Sequence, residues 1–150
     1  METIGNTELL NLQKTAFFAP GKISVGSVLP CYDWANQITE QSKCVVSSFK
    51  SKLERDVWNF LVRGAQPIII VMARKKHSRI PQEFTELLDS GRLLIIYLGL
   101  CDERDRKANI YRSEYIAEIA DQIVFASINP ESSLYPLFLK YKQKSTVIYK

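Results

Sequence analysis

Serines and lysines gather at one junction of this sequence. In CVVSSFKSKLERDVW, residues 44–58, an apolar run gives way to Ser47, Ser48, Lys50, Ser51 and Lys52 before helical spacing sets in. Hydroxyls, backbone N–H groups and ammonium ions are the donors that hold phosphate, and the positive end of a helix dipole adds to their pull. Ser51 and Glu54 read as an S-x-x-E capping box, so a helix is expected to start at Ser51 with a strand-to-helix turn before it. A second donor-rich stretch is APGKISVGS, residues 19–27, which carries Lys22 and two glycines but matches neither GxGxxG nor GxxxxGK[ST]. A third is INPESSL, residues 128–134, where Asn129 before Pro130 marks a helix start and Ser132 or Ser133 could serve as the cap. Arg112, placed at or near the start of a fourth helix, has the fork geometry to clamp a phosphate. The chemistry these groups share is anion binding. Each also has a structural reading: Ser51 as a simple cap, the lysines as solvated charges, Arg112 as a partner of Glu114, Glu118 or Asp105.

Catalytic and metal chemistry find less to work with. The sole histidine, His77, sits in ARKKHSR, so any Ser/His or Cys/His relay would depend on it alone. Cys31, Cys44 and Cys101 lack CxxC spacing and read as buried thiols, and no zinc-type cluster can be assembled. No catalytic residue, metal or cofactor is therefore assigned. Were there catalysis, Glu54 and Glu131 would be the first carboxylates to test, although both have simpler roles at helix starts.

The elements that must position these groups are legible as apolar runs. KTAFFA, KCVVSSF, PIIIVMA and RLLIIYLG predict strands near 14–19, 43–49, 67–73 and 92–98, and QIVFASI and STVIY predict two more. Most are continuously apolar, the pattern of a strand covered on both faces. Between them, PCYDWANQITEQ and the segment holding Leu53, Val57, Phe60 and Leu61 show helical spacing. PQEFTELLDSG predicts a helix with Pro81 at its first position and Gly91 as its C-cap. A fourth helix is expected around Tyr115, Ile116, Ile119 and Ala120, and a short fifth over 132–142 with Pro136 in its first turn. This alternation predicts an α/β fold: a single Rossmann-like three-layer α/β/α sandwich with a mostly parallel central sheet over residues 1–150. In such sheets ligands bind outside the carboxyl ends of the strands, beside the switch in strand order.

A chain of 150 residues, 46% hydrophobic and 24% charged, is long enough for one sizeable core. No apolar run approaches the ~20 residues of a membrane helix, and METIGNTELLNLQK lacks a secretory pattern, so residence in the cytosol is expected. A net charge of +4 favours anionic partners. Part of it is clustered, in Arg74, Lys75, Lys76 and Arg79, in Arg104, Arg106 and Lys107, and in Lys140, Lys142, Lys144 and Lys150.

VVSSFKSKLERDVW followed by IIIVMA resembles the signature of the DNA-processing protein A (Smf) family, in which a strand ends in Ser-Gly-x-Ala-Arg-Gly-Ile-Asp. NIYRSEYIAEIADQIVFASINPESSL is similar to that family's Arg-Asn-Arg-x-Ile-Ala segment, the strand after it and a Ser-Gly-Ser-Leu turn. The resemblance runs from about residue 15 to the end with few identities. Ser51 stands at the family's arginine position, Lys52 at its glycine, Glu54 at its aspartate, Trp58 at its helix histidine, and Ser113 and Glu114 replace the asparagine and second arginine. It implies a Rossmann-like domain with an anion pocket and a recombinase as a protein partner; a homodimer is a separate option, through an exposed sheet edge or the aromatic-rich C-terminus pairing with another copy. The fold also hosts LOG-type phosphoribohydrolases, whose Pro-Gly-Gly-x-Gly-Thr pattern is absent here. Two functions are thus expected to compete. One is a non-catalytic single-stranded DNA-binding module using Lys22, Ser47, Ser48, Lys50, Ser51, Lys52, Arg112, Ser132 and Ser133, with bases stacking on Phe49 or Tyr111. The other is a domain that senses or processes a nucleotide held between the second and fifth predicted strand ends.

Overall fold

The computed structural model describes every residue except 42, 78, 101–103 and 150. The apolar runs form strands β2 (Lys14–Phe18), β3 (Cys44–Ser47), β4 (Ile68–Arg74), β5 (Leu93–Leu100), β6 (Gln122–Ser127) and β7 (Ser145–Tyr149), joined to a short N-terminal strand β1 (Glu2–Gly5). Helices α1 (Val28–Thr39), α2 (Lys52–Arg63), α3 (Gln82–Asp89), α4 (Arg106–Ile119) and α5 (Tyr135–Lys140) alternate with them. All seven strands lie in one sheet of order β1-β5-β4-β3-β2-β6-β7, parallel except for β1. From β2 the chain steps outward through β3 and β4 to β5. It then returns to the far side of β2 to lay down β6 and β7, so the order switches at the β2–β6 boundary.

Because side chains alternate across a strand, each buried strand feeds two cores. Phe17, Val45, Ile68, Ile70, Leu93 and Ile95 meet α1, α2 and α3 on one face. Ala16, Val46, Ile69, Val71, Leu94 and Ile96 meet Ile116 and Ala117 of α4 and Leu137 of α5 on the other. This double coverage accounts for runs that read as continuously apolar, and it completes the three-layer sandwich.

Three local features differ from the sequence reading. Strand β1, unanticipated there, pairs antiparallel with β5, and Gly5 at φ +110° turns the chain where a Cβ would collide with the Leu93 carbonyl. Pro81 caps α3 instead of opening it, while Gly91, at φ +76°, follows the Ser90 cap. Helix α4 begins well before Arg112: Asp105 caps it, its carboxylate accepting the Lys107 N–H at 3.3 Å, and no breaker intervenes before Arg112. Arg112 therefore lies mid-helix, on the buried face that also carries Ala108 and Ile116.

Candidate functional site

The β3–α2 junction forms the capping box read from the sequence. Ser51 Oγ accepts the Glu54 N–H at 3.3 Å, and Glu54 Oε1 accepts the Ser51 N–H at 3.3 Å. The same carboxylate does more. Its Oε1 also accepts the Lys50 N–H at 3.0 Å and the Ser48 hydroxyl at 3.1 Å, and its Oε2 accepts the Ala19 N–H, at the end of β2, at 3.0 Å. Glu54 is 5% exposed. Burial pushes its carboxyl above the ordinary range, against the pull of the Ala19, Lys50 and Ser51 N–H groups and the Ser48 hydroxyl. The Ala19, Lys50 and Ser51 amides are thus already taken by the chain's own carboxylate.

The rest of the turn is similarly committed. Ser47 is fully buried and its Oγ accepts the Phe49 N–H at 3.1 Å. Phe49 adopts φ +51°, a left-handed conformation uncommon for a bulky residue, and its buried ring packs edge-on against Trp58 with centroids 5.1 Å apart. That burial corrects the expectation that Phe49 offers a stacking face, whereas Tyr111 is 56% exposed. Lys50 and Lys52 are on the surface, Lys52 3.6 Å from Asp56.

An open crevice of about 720 Å³ lies one strand away, where the loops after β2 and β6 diverge at the switch in strand order. The first loop supplies Lys22 and Ser24; the second supplies Asn129, Glu131, Ser132 and Ser133. Tyr149 closes one end, against Gly26, where a Cβ would stand 2.6 Å from the tyrosine oxygen. The sequence placed a ligand between the second and fifth predicted strands, now β3 and β6. These are not neighbours: β2 separates them, and its own loop forms the wall opposite β6. Amides at the start of α5 are used internally as well. Asn129 accepts the N–H groups of Glu131, at 3.0 Å, and Ser132, at 2.8 Å, while Ser132 accepts those of Leu134 and Tyr135, each at 3.1 Å. The residues lining the crevice bring an ammonium, hydroxyls, an amide and one carboxylate.

Beyond the Glu131–Ser133 wall, a groove of about 640 Å³ between α4 and α5 adds Arg104, Arg106 and Lys140. Lys140 is held 3.1 Å from Glu114, which also accepts the Tyr141 hydroxyl. Of the nine residues singled out from sequence, the crevice brings Lys22, Ser132 and Ser133 together. Ser47, Ser48, Lys50, Ser51 and Lys52 belong to the neighbouring turn, and Arg112 lines neither cavity.

Parallel strands put their carboxyl ends on one edge of the sheet. The loops there carry exposed Lys75, Lys76 and Arg79 after β4, and Arg106 and Lys107 open α4 after β5. The C-terminal lysines are different. Lys142 and Lys144 precede β7, at its amino end, and Lys144 donates to the Ala120 carbonyl beyond the C-terminus of α4. Lys150, like Cys101, lies outside the described residues. Burial raises the Cys31 thiol to about 11 and the Cys44 thiol to about 12, so both stay protonated and unreactive at neutral pH. His77 is exposed, and no group of metal-binding side chains occurs among the described residues.

No family model matches the sequence, and no curated protein matches it. Solved structures match its fold. DNA processing protein A of Helicobacter pylori, described in a single-stranded DNA binding mode, superposes with a TM-score of 0.74 at 15% identity, covering 97% of this chain and 69% of that one. DNA processing protein A of Streptococcus pneumoniae gives 0.72 at 17% identity over 97% of this chain, which spans 52% of the relative's length. The Moco carrier protein of Chlamydomonas reinhardtii gives 0.58 at 13% identity over 93% of this chain and 78% of that one. The chain has a divergent form of the fold seen in DNA processing protein A.

Proposed function

We propose that residues 1–150 act as one non-catalytic module that binds single-stranded nucleic acid, DNA in the first instance, through the crevice between the β2 and β6 strand ends. The observation that carries this reading is the meeting of Lys22, Ser132 and Ser133 at the switch in strand order, on an edge lined by further cations. The acids described on that edge are partly spent: Asp105 caps α4, Glu54 is buried, and Glu131 faces the crevice. Asp102 and Glu103 lie outside the described residues.

In this reading a phosphodiester rests on the Lys22 ammonium and the serine hydroxyls. Adjacent phosphates follow the rim toward Arg106 on one side or Lys50 and Lys52 on the other, and Tyr111 offers an exposed ring for a base. Lysine is a point charge without the arginine fork, so binding is weakly sequence-dependent and steeply salt-dependent. Single-stranded DNA binding by the H. pylori protein supports the choice of ligand. A recombinase partner, which rests on the resemblance, a homodimer, which rests on an exposed sheet edge or the aromatic-rich C-terminus, and residence in the cytosol, which rests on the sequence pattern, belong to the same proposal. No described helix is long and apolar enough to cross a membrane.

One observation favours a second reading. A crevice of about 720 Å³ is the size of a small-ligand pocket and would accept a mononucleotide. Titration of oligonucleotides of several lengths, and of AMP, at roughly 50 and 200 mM salt separates the two. Affinity that grows with length and collapses with salt is expected. Tight AMP binding with no polymer binding would reverse the order of the readings.

A further inference from the structure

The donors around Glu54 are arranged for an anion, and an anion that belongs to the chain already fills them. Three backbone N–H groups and one hydroxyl converge on a single carboxylate at 3.0–3.3 Å. A capping box needs only the Ser51 N–H. The Ala19 N–H comes from the end of another strand, 35 residues away in sequence. Successive amides curled around an acceptor form an anion-binding nest, and carboxylate and phosphate oxygens are alternative occupants of such a nest.

We propose that Glu54 is a specificity-determining residue: a resident anion that closes this nest to phosphate and confines nucleic-acid phosphates to the neighbouring crevice. The second half of that statement rests on the crevice reading under Proposed function; the first half stands on the hydrogen bonds alone. With its two oxygens accepting all four of these donors, Glu54 leaves none of the four for a second anion. Any carboxylate charge in a buried setting also repels one. The loop that carries Lys22 departs directly from Ala19, so the resident carboxylate also anchors the root of the crevice wall. Burial disfavours the charged carboxylate, and the Ala19, Lys50 and Ser51 N–H groups with the Ser48 hydroxyl oppose that penalty.

Glu54→Ala removes the occupant and leaves every donor in place. Titration of this variant with inorganic phosphate or acetate, followed by 1H–15N spectra, is expected to shift the Ala19, Lys50 and Ser51 amides saturably and to raise its melting temperature. Neither anion does so in the unsubstituted protein. Lys22→Ala, introduced beside it, leaves those amide shifts intact while weakening oligonucleotide binding, so the nest and the crevice fail separately. Should Glu54→Ala not fold by itself, its refolding becomes dependent on acetate or phosphate. A folded Glu54→Ala protein whose three amides ignore both anions would overturn the proposal, as would a variant that no anion can refold.

Discussion

Two places on the same edge of one sheet have met opposite fates. At β3 the chain turns into a long helix whose third residue reaches back and fills the turn; at β2 and β6 the loops part and leave a crevice. Both places began with similar materials: serines, a lysine and a helix to follow. The difference lies in one carboxylate. Glu54 collects donors from two strand ends into a closed, dry cluster, whereas Glu131 sits on an exposed wall of the crevice. A position that topology favours for ligands stays open only if no side chain of the fold reaches it first.

Removing that carboxylate should produce the largest effect on this contrast. Glu54→Ala leaves three amides of the turn without an acceptor and is expected to cost about 2–4 kcal/mol of stability in denaturant titrations. A loss under ~1 kcal/mol would mean that water replaces the carboxylate freely and that the turn is not closed. Next comes the open side: Lys22→Ala should weaken oligonucleotide binding about tenfold at low salt, ~1.4 kcal/mol, without changing the melting temperature. Unchanged anisotropy titrations would move the binding face elsewhere.

Ser51→Ala discriminates more finely, because it deletes the cap while leaving Glu54 bonded to Ala19 and Lys50. Its expected cost is ~1 kcal/mol, below that of Glu54→Ala. Equal costs would show that the cap, not the carboxylate, holds the turn. The smallest effect is in pH. Since burial raises the folded-state Glu54 carboxyl above its unfolded value, the folded protein binds more protons in that interval. Stability should fall as pH rises from the ordinary carboxylate range through the raised value. Asp121, held below its ordinary value chiefly by the Lys14 N–H, acts in a separate and more acidic window, where stability is lost as pH falls. Glu54→Gln should flatten the first trend and leave the second, as seen in melting temperatures across pH.

Much of this architecture was legible in the sequence because its signals are local. Each of the six predicted strands is an apolar run bounded by turn residues, and each survives within a few residues of its predicted limits. The capping box needed only a four-residue pattern. Strand β1 escaped notice because a four-residue edge strand with only Ile4 half-buried has almost no pattern to display. Arg112 reads as too near a helix start because the apolar residues that signal the helix begin at Tyr115, while the stop-free stretch from Arg106 to Tyr111 argues for a longer helix. The site was the least legible part. Its three donor-rich loops could be read, but which two face each other depends on strand order, and so does the Ala19–Glu54 bond. No local pattern encodes either.

Phe49 gives the closed turn an optical handle. Its ring leans on Trp58, which in turn leans edge-on against Phe84 of α3, with centroids 5.4 Å apart. A residue in a left-handed twist, without glycine's freedom, keeps that shape only while its ring is gripped. With Trp34, stacked on Phe17, replaced by phenylalanine, indole emission from Trp58 should therefore report the turn's integrity: a red shift on heating would mark the moment when the grip slackens.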